Sequence, residues 1–181
     1  ISSVELGELY NQKKILYRAP LLKEVLDLIG PPHRIGLNIE LKGEETAIPV
    51  YTLLKDHYPN LCQRVMISSF SDEQLGIYRE MDPYIAIGVL RGGKDKDLKT
   101  DADWDKLRDA VERIRPVSIS VGNKDQQGRG LEQDVVTRLI NLRRDFLGLS
   151  RIGVYTVNDK RRLEELTGWG IDMVFSDSLP L

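Results

Sequence analysis

Cysteine is almost missing from this sequence. Cys62 stands alone, so the chain can form no internal disulfide and no cysteine-rich metal site. A lone cysteine fits a reducing compartment, and a cytoplasmic location is the expectation. The first residue is Ile1 rather than methionine, so a signal peptide is neither implied nor excluded. Histidine is nearly as scarce, with His33 and His57 alone. No stretch approaches the roughly 18 consecutive apolar residues of a membrane-spanning helix. An excess of positive charge is also lacking: the formal net charge is -2 and the sequence pI is about 5.8. A nucleic-acid binder shows a basic face or stripe. The nearest approach, Lys160-Arg161-Arg162, runs at once into Glu164 and Glu165 and reads as a solvated helix face. Neither a nucleic acid nor a membrane span is expected, and the sequence leaves the oligomeric state open.

What is there is an ordinary globular balance, 41% hydrophobic and 30% charged, enough to bury one sizeable core. No repeat, low-complexity segment or internal boundary divides it, so residues 1–181 are expected to form a single domain. Short apolar runs alternate with amphipathic stretches, which predicts an α/β class with a parallel sheet. Strands are predicted near Gly36 to Lys42, Arg64 to Phe70, Tyr84 to Leu90, Val117 to Gly122, Arg151 to Val157 and Asp172 to Asp177. Pro20 can open the first clear helix, in which Leu22, Val25, Leu26 and Ile29 recur at helical spacing. Gly30-Pro31-Pro32 ends it. Ser71 and Gln74 have the spacing of a capping box. Trp104, Leu107, Val111 and Ile114 make one apolar stripe, and Val135, Leu139, Leu142 and Phe146 another. Asn158 is the predicted N-cap of the last helix. Two loops, Arg91 to Asp103 and Asn123 to Gly130, are rich in glycine and charge. Both follow a strand's C-terminal end, the face on which a (β/α) barrel carries its chemistry. They read equally well as ordinary solvated connections.

The sharpest anomaly is Gly36-Leu37-Asn38-Ile39-Glu40-Leu41-Lys42. Side chains alternate along a strand, so Leu37, Ile39 and Leu41 share one face and Asn38, Glu40 and Lys42 the other. A parallel strand is usually buried on both sides, and unpaired buried charge is costly. Pointing the polar set into a ligand site at the C-terminal end of a barrel resolves the conflict. An edge strand with a solvated face, or a structural Glu–Lys pair, resolves it too.

Asn38-Ile39-Glu40-Leu41-Lys42 resembles the ELK strand of the glycerophosphodiester phosphodiesterase family. Three further segments resemble that family in the same order. Val65 to Ser71, with Ser68-Ser69-Phe70, resembles its SSF strand. Tyr155-Thr156-Val157-Asn158 resembles its WTVN segment. Gly170-Ile171-Asp172 through Ser176-Asp177 and Pro180 resembles its terminal GVDGIITDxP pattern. Pro20 to Ile29 resembles the helix preceding ELK. The resemblance implies a (β/α)8 barrel of which about six of eight strand–helix units are present. It implies metal-dependent hydrolysis of glycerophosphodiesters to glycerol 3-phosphate and an alcohol. It implies that Glu40 binds a divalent cation, magnesium or calcium, and that Lys42 contacts the substrate phosphate. Both count as catalytic. Phe70 and Tyr155 would line the substrate site, with Tyr155 in place of the usual tryptophan. Thr156, Asn158 and Asp177 are expected to be structural. The partner expected is a small glycerophosphodiester or a related phospholipid-derived molecule.

The family's HRG, Glu-x-Asp and His-Asp motifs, which bring its catalytic histidines and most metal ligands, lie upstream of its ELK strand, and none of them occurs among the residues that precede Gly36 here. His33-Arg34 precedes a strand and so belongs to the opposite, stabilising face of a barrel, and His57 lies in a helix-to-strand connection. The expectation is therefore an N-terminally incomplete barrel, inactive alone, whose sheet is finished by a longer polypeptide or another partner. Two alternatives stand beside it. One is a non-catalytic, phosphate-binding barrel remnant. The other is a phospholipase-like phosphodiesterase of different head-group preference.

Overall fold

In the computed structural model, residues 19–29, 35–92, 98–124 and 128–178 are described. The described elements alternate as expected. In order they are α1 (Leu22–Leu28), β1 (Leu37–Glu40), α2 (Ala47–His57), a 3-10 turn (Pro59–Arg64), β2 (Val65–Ser69) and α3 (Asp72–Met81). Then follow β3 (Ala86–Arg91), α4 (Asp101–Ile114), β4 (Ser118–Gly122), α5 (Gln133–Asp145), β5 (Arg151–Tyr155), α6 (Lys160–Gly168) and β6 (Met173–Val174). Every strand pair is parallel and the spatial order is the chain order, β1 to β6. A helix returns the chain between successive strands, which is the repeating unit of a (β/α) barrel. The six described strands form a half-barrel whose edges are β1 and β6.

Period-two alternation decides which face meets the helices. Ile67, Ile87, Val89, Ile119, Ile152 and Val154 are all fully buried and join Leu75, Leu107, Leu139 and Leu166 from the helices in one core. Each such side chain contributes about 1.5–3 kcal/mol by leaving water. The other, concave face carries Met66, Ser68, Gly88, Ser118, Ser120, Gly153 and Met173. Its glycines make room for neighbours: a Cβ on Gly153 would lie 2.5 Å from Ser120 Oγ and 2.9 Å from Met173 Cε.

The helix stripes follow the predicted spacing. Trp104, Leu107, Val111 and Ile114 of α4 are buried. In α5, Leu139 and Leu142 are buried and Val135 and Phe146 pack partly, while Val136, outside the predicted stripe, is fully buried. The strands are shorter than predicted, most of all β6, where two residues pair instead of six, although β3 runs one residue past its predicted end, to Arg91. Pro20 lies one residue before the N-cap Leu21 rather than inside α1, and Gly30 to Pro32 lie outside the described residues.

Two caps differ from the sequence reading. Ser71 Oγ accepts from Gln74 N as expected, but Gln74 does not return to Ser71. Its Oε1 instead accepts from Ala47 N at 2.9 Å, satisfying the first turn of α2, whose own N-cap Thr46 turns its hydroxyl to Gly43 O and makes no side-chain capping bond. Asn158 is not the cap of α6. Asp159 is, accepting from Arg162 N at 2.9 Å. An aspartate caps as well as an asparagine and stands one residue nearer the helix.

Candidate active site at the C-terminal end of the half-barrel

Glu40 ends β1 and pairs in register with Ser68. Leu37 and Ile39 pack on the core, so alternation turns Asn38 and Glu40 to the concave face. Lys42 lies just past the strand, with Nζ 3.6 Å from Glu40 Oε2. Glu40's side chain is 29% exposed and that of Lys42 78%, so the carboxylate is partly sheltered and the ammonium stands in solvent. The strand end is tied down from β2: Leu41 N donates to Ser68 O at 2.7 Å, and Ser69 Oγ donates to Leu41 O at 2.8 Å. Ser69 Oγ also accepts from Ser71 N, so one serine fixes both the end of β1 and the turn into α3. Beside Glu40 in register, the buried Ser68 hydroxyl has no hydrogen-bond partner among the described residues.

Phe70, just past β2, and Tyr155, at the end of β5, meet edge to face with ring centroids 5.9 Å apart. Two strands separate β2 from β5, roughly 14 Å in a flat sheet. Their contact follows from curvature, because both side chains lean inward over the concave face. The Tyr155 hydroxyl donates to Arg91 O at 2.5 Å, anchoring the ring to the end of β3. The Arg91 side chain points the other way, to the helix layer, where its guanidinium bonds both Asp72 carboxylate oxygens at 3.0 and 2.9 Å. Gly92 closes this corner with φ +124°, a backbone conformation that side chains disfavour. A Cβ there would lie 3.0 Å from the Tyr155 hydroxyl and 3.2 Å from Gly122 N. Gly92→Ala is therefore expected to cost about 1–3 kcal/mol. Urea denaturation checks this, and a loss below a few tenths would mean that the corner relaxes freely.

The remaining candidates fall elsewhere. Asn158 links to the chain beyond β6: its Nδ2 donates to Asp177 Oδ2 at 2.8 Å, and its Oδ1 accepts from Asp177 N at 2.9 Å and Ser176 Oγ at 3.0 Å. Asp177 thus holds the segment after a strand end, as expected. Thr156 is exposed, and its carbonyl accepts from Asn123 Nδ2. His57 is the exposed last residue of α2, at the end of the barrel away from Glu40, and not part of a connection. His33 lies outside the described residues. Sequence reading passed over Ser69, Asp72, Arg91 and Gly92, the residues that hold the site rather than form its surface. The signal available for Ser69 was its place inside the Ser-Ser-Phe segment.

A hard divalent cation takes six or more oxygen ligands. Among the described residues no three His, Cys, Asp or Glu side chains converge on one point. Glu40 offers one carboxylate and shares it with Lys42. These residues alone do not make a cation site.

No family model matches the chain. It is 24% identical over 161 residues to a glycerophosphodiester phosphodiesterase of Bacillus altitudinis, covering 87% of this chain and 58% of that protein. Among solved structures, it superposes with a TM-score of 0.57 on an Oleispira antarctica phosphodiesterase determined with the product sn-glycerol-3-phosphate. That match is 24% identical and covers 78% of this chain and 51% of that one. The glycerophosphodiester phosphodiesterase of Agrobacterium tumefaciens superposes with the same TM-score of 0.57, at 18% identity, over 87% of this chain and 57% of that one. The half-barrel is thus similar to part of the barrel of glycerophosphodiester phosphodiesterases. The chain spans about half the length of these relatives. Among the described residues no helix is long and apolar enough to cross a membrane.

Proposed function

We propose that this chain supplies one side of the active site of a metal-dependent glycerophosphodiester phosphodiesterase. The reaction releases glycerol 3-phosphate and an alcohol. The observation that carries this reading is the Glu40–Lys42 pair at the concave, C-terminal end of β1, on the face where Phe70 and Tyr155 also meet. The solved relative from Oleispira antarctica, which holds sn-glycerol-3-phosphate, supports the substrate class.

A phosphodiester is anionic, and charge grows on its non-bridging oxygens as the ester bond breaks. The Lys42 ammonium is free to swing toward that charge and offset it. The Phe70 and Tyr155 rings form an apolar wall against which the carbons of a glycerol moiety can rest. Glu40 can offer one oxygen to magnesium or calcium, a cation that polarises a phosphoryl oxygen when bound. The other ligands, and the acid–base groups, would come from outside the described residues. His57 is at the wrong end to serve.

The test is release of glycerol 3-phosphate from glycerophosphodiesters with magnesium or calcium present. Residues 1–181 alone are expected to show background rates. A protein that adds an upstream segment with HRG, Glu-x-Asp and His-Asp motifs is expected to turn over, since general acid–base help alone is worth about 10²–10⁴ in rate. Metal-dependent turnover by residues 1–181 would overturn the assignment of roles. The shortage of carboxylates favours one other reading, a remnant that binds phosphate without cleaving it. That reading requires the longer protein to bind glycerol 3-phosphate with no turnover.

A further inference from the structure

A cavity of about 370 Å³ opens on the helix side of β3 and β4. Glu40, Lys42, Phe70 and Tyr155 do not line it. The alternation that turns Tyr155 to the concave face turns Arg91 and Val121 outward to the helix layer, and both border this cavity. Gly92 and Gly122 form the partition between the two sites. Its volume falls within the range of roughly 300–1,000 Å³ usual for small-molecule sites.

The lining is divided by chemistry. Trp104, Val121, Leu131 and Val135 give it an apolar floor. Lys99, Lys124, Arg129 and Arg138 stand around it. Among the described lining residues the acids are Glu132 and Asp134, and the charge of Arg91 is met by its pair with Asp72. The guanidinium carbon of Arg138 stands over Trp104, 4.3 Å from the ring centroid, and so joins floor and rim. Its ion pair with Asp101 is at the surface, where the aspartate side chain is 92% exposed, so water and salt weaken that competitor. An apolar floor under a cationic rim fits a ligand with both characters.

We infer that this cavity binds a small amphiphilic anion, a short alkyl or aryl group bearing a phosphate or carboxylate, at a site distinct from Glu40 and Lys42. The inference rests on the cavity alone and stands whether or not the chain takes part in phosphodiester hydrolysis.

The two tryptophans provide the readout. Trp104 lines the cavity, whereas Trp169 is not among its lining residues and packs on Arg162, 4.8 Å from the guanidinium carbon. Their indole N–H resonances are followed by NMR in the intact chain, with Trp169→Phe used for assignment. The probes are n-octyl phosphate, inorganic phosphate and 1-octanol. Octyl phosphate is expected to shift the Trp104 resonance saturably and leave Trp169 in place. Phosphate alone and octanol alone are expected to bind at least about tenfold more weakly, since each satisfies half the lining. Lys124→Glu, and separately Arg138→Gln, are expected to weaken octyl phosphate about tenfold, the scale of one charge-assisted contact. Lys42→Ala is expected to leave it unchanged. The inference fails if no saturable shift occurs or if octanol or phosphate binds as tightly. It fails also if neither rim variant weakens binding, or if Lys42→Ala abolishes it, which would move the ligand to the concave site.

Discussion

Asp72→Ala is expected to destabilise the protein by about 3–5 kcal/mol, the loss that follows when one partner of a buried ion pair is removed. Arg91 is 3% exposed, and its guanidinium meets the Asp72 carboxylate through two hydrogen bonds of 3.0 and 2.9 Å. Without that carboxylate the guanidinium keeps a bond to Leu90 O, at 3.0 Å, and remains a buried charge with no counter-charge. Asp72 also opens α3, where an acid favours the helix dipole, but that contribution is only about 0.3–1 kcal/mol. The burial of Arg91 therefore accounts for most of the loss. Replacing both partners, as Asp72→Leu with Arg91→Met, is expected to recover much of it, because no charge is then left stranded. Urea denaturation of the single and double variants measures both. A loss under about 1 kcal/mol for Asp72→Ala would mean that the pair behaves like a solvated surface bridge. The pair also bears on the site, since the carbonyl of the same Arg91 holds the Tyr155 hydroxyl.

The strands were legible because each places Val, Ile or Leu at every second position against the helices, and that pattern survives any detail of the loops. Their ends were not, because the sequence shows apolar content but not where the ladder stops. Leu41 remains buried and bonded to Ser68 although β1 ends at Glu40. The end of β6 was misread for a different reason. As an edge strand it has one neighbour to pair with, and Ser176 and Asp177 bond to Asn158 instead of extending the ladder. The same bonds explain why Asn158 is not the helix cap.

The concave face carried a signal that periodicity alone could have raised. Ser68, Gly88, Ser118, Ser120 and Gly153 are small residues alternating with fully buried Ile and Val, the mark of a barrel interior. The positions of Glu40, Lys42, Phe70 and Tyr155 on that face follow from the same alternation. The Asp72–Arg91 pair was not readable, because its partners are 19 residues apart and Arg91 reads as the start of a charged loop. Nor was the cavity beside α4 and α5, which depends on how far two helices stand from the sheet.

The decisive measurement is made on Glu40→Gln in a protein that adds an upstream segment with the HRG, Glu-x-Asp and His-Asp motifs. The exchange keeps the side chain's size and its contact with the strand end while removing its charge. A glutamine offers a cation one neutral oxygen where glutamate offers a charged pair. Release of glycerol 3-phosphate from a glycerophosphodiester is measured against the concentration of magnesium or calcium, alongside Lys42→Ala. Glu40→Gln is expected to reduce metal-dependent turnover to background while the fold, read by circular dichroism, is unchanged. Lys42→Ala is expected to keep the metal dependence and lose about 10²–10³ in kcat, the usual scale for removing one group that stabilises developing charge. Turnover by Glu40→Gln at the wild-type rate, with the same metal dependence, would contradict the account and remove β1 from the active site.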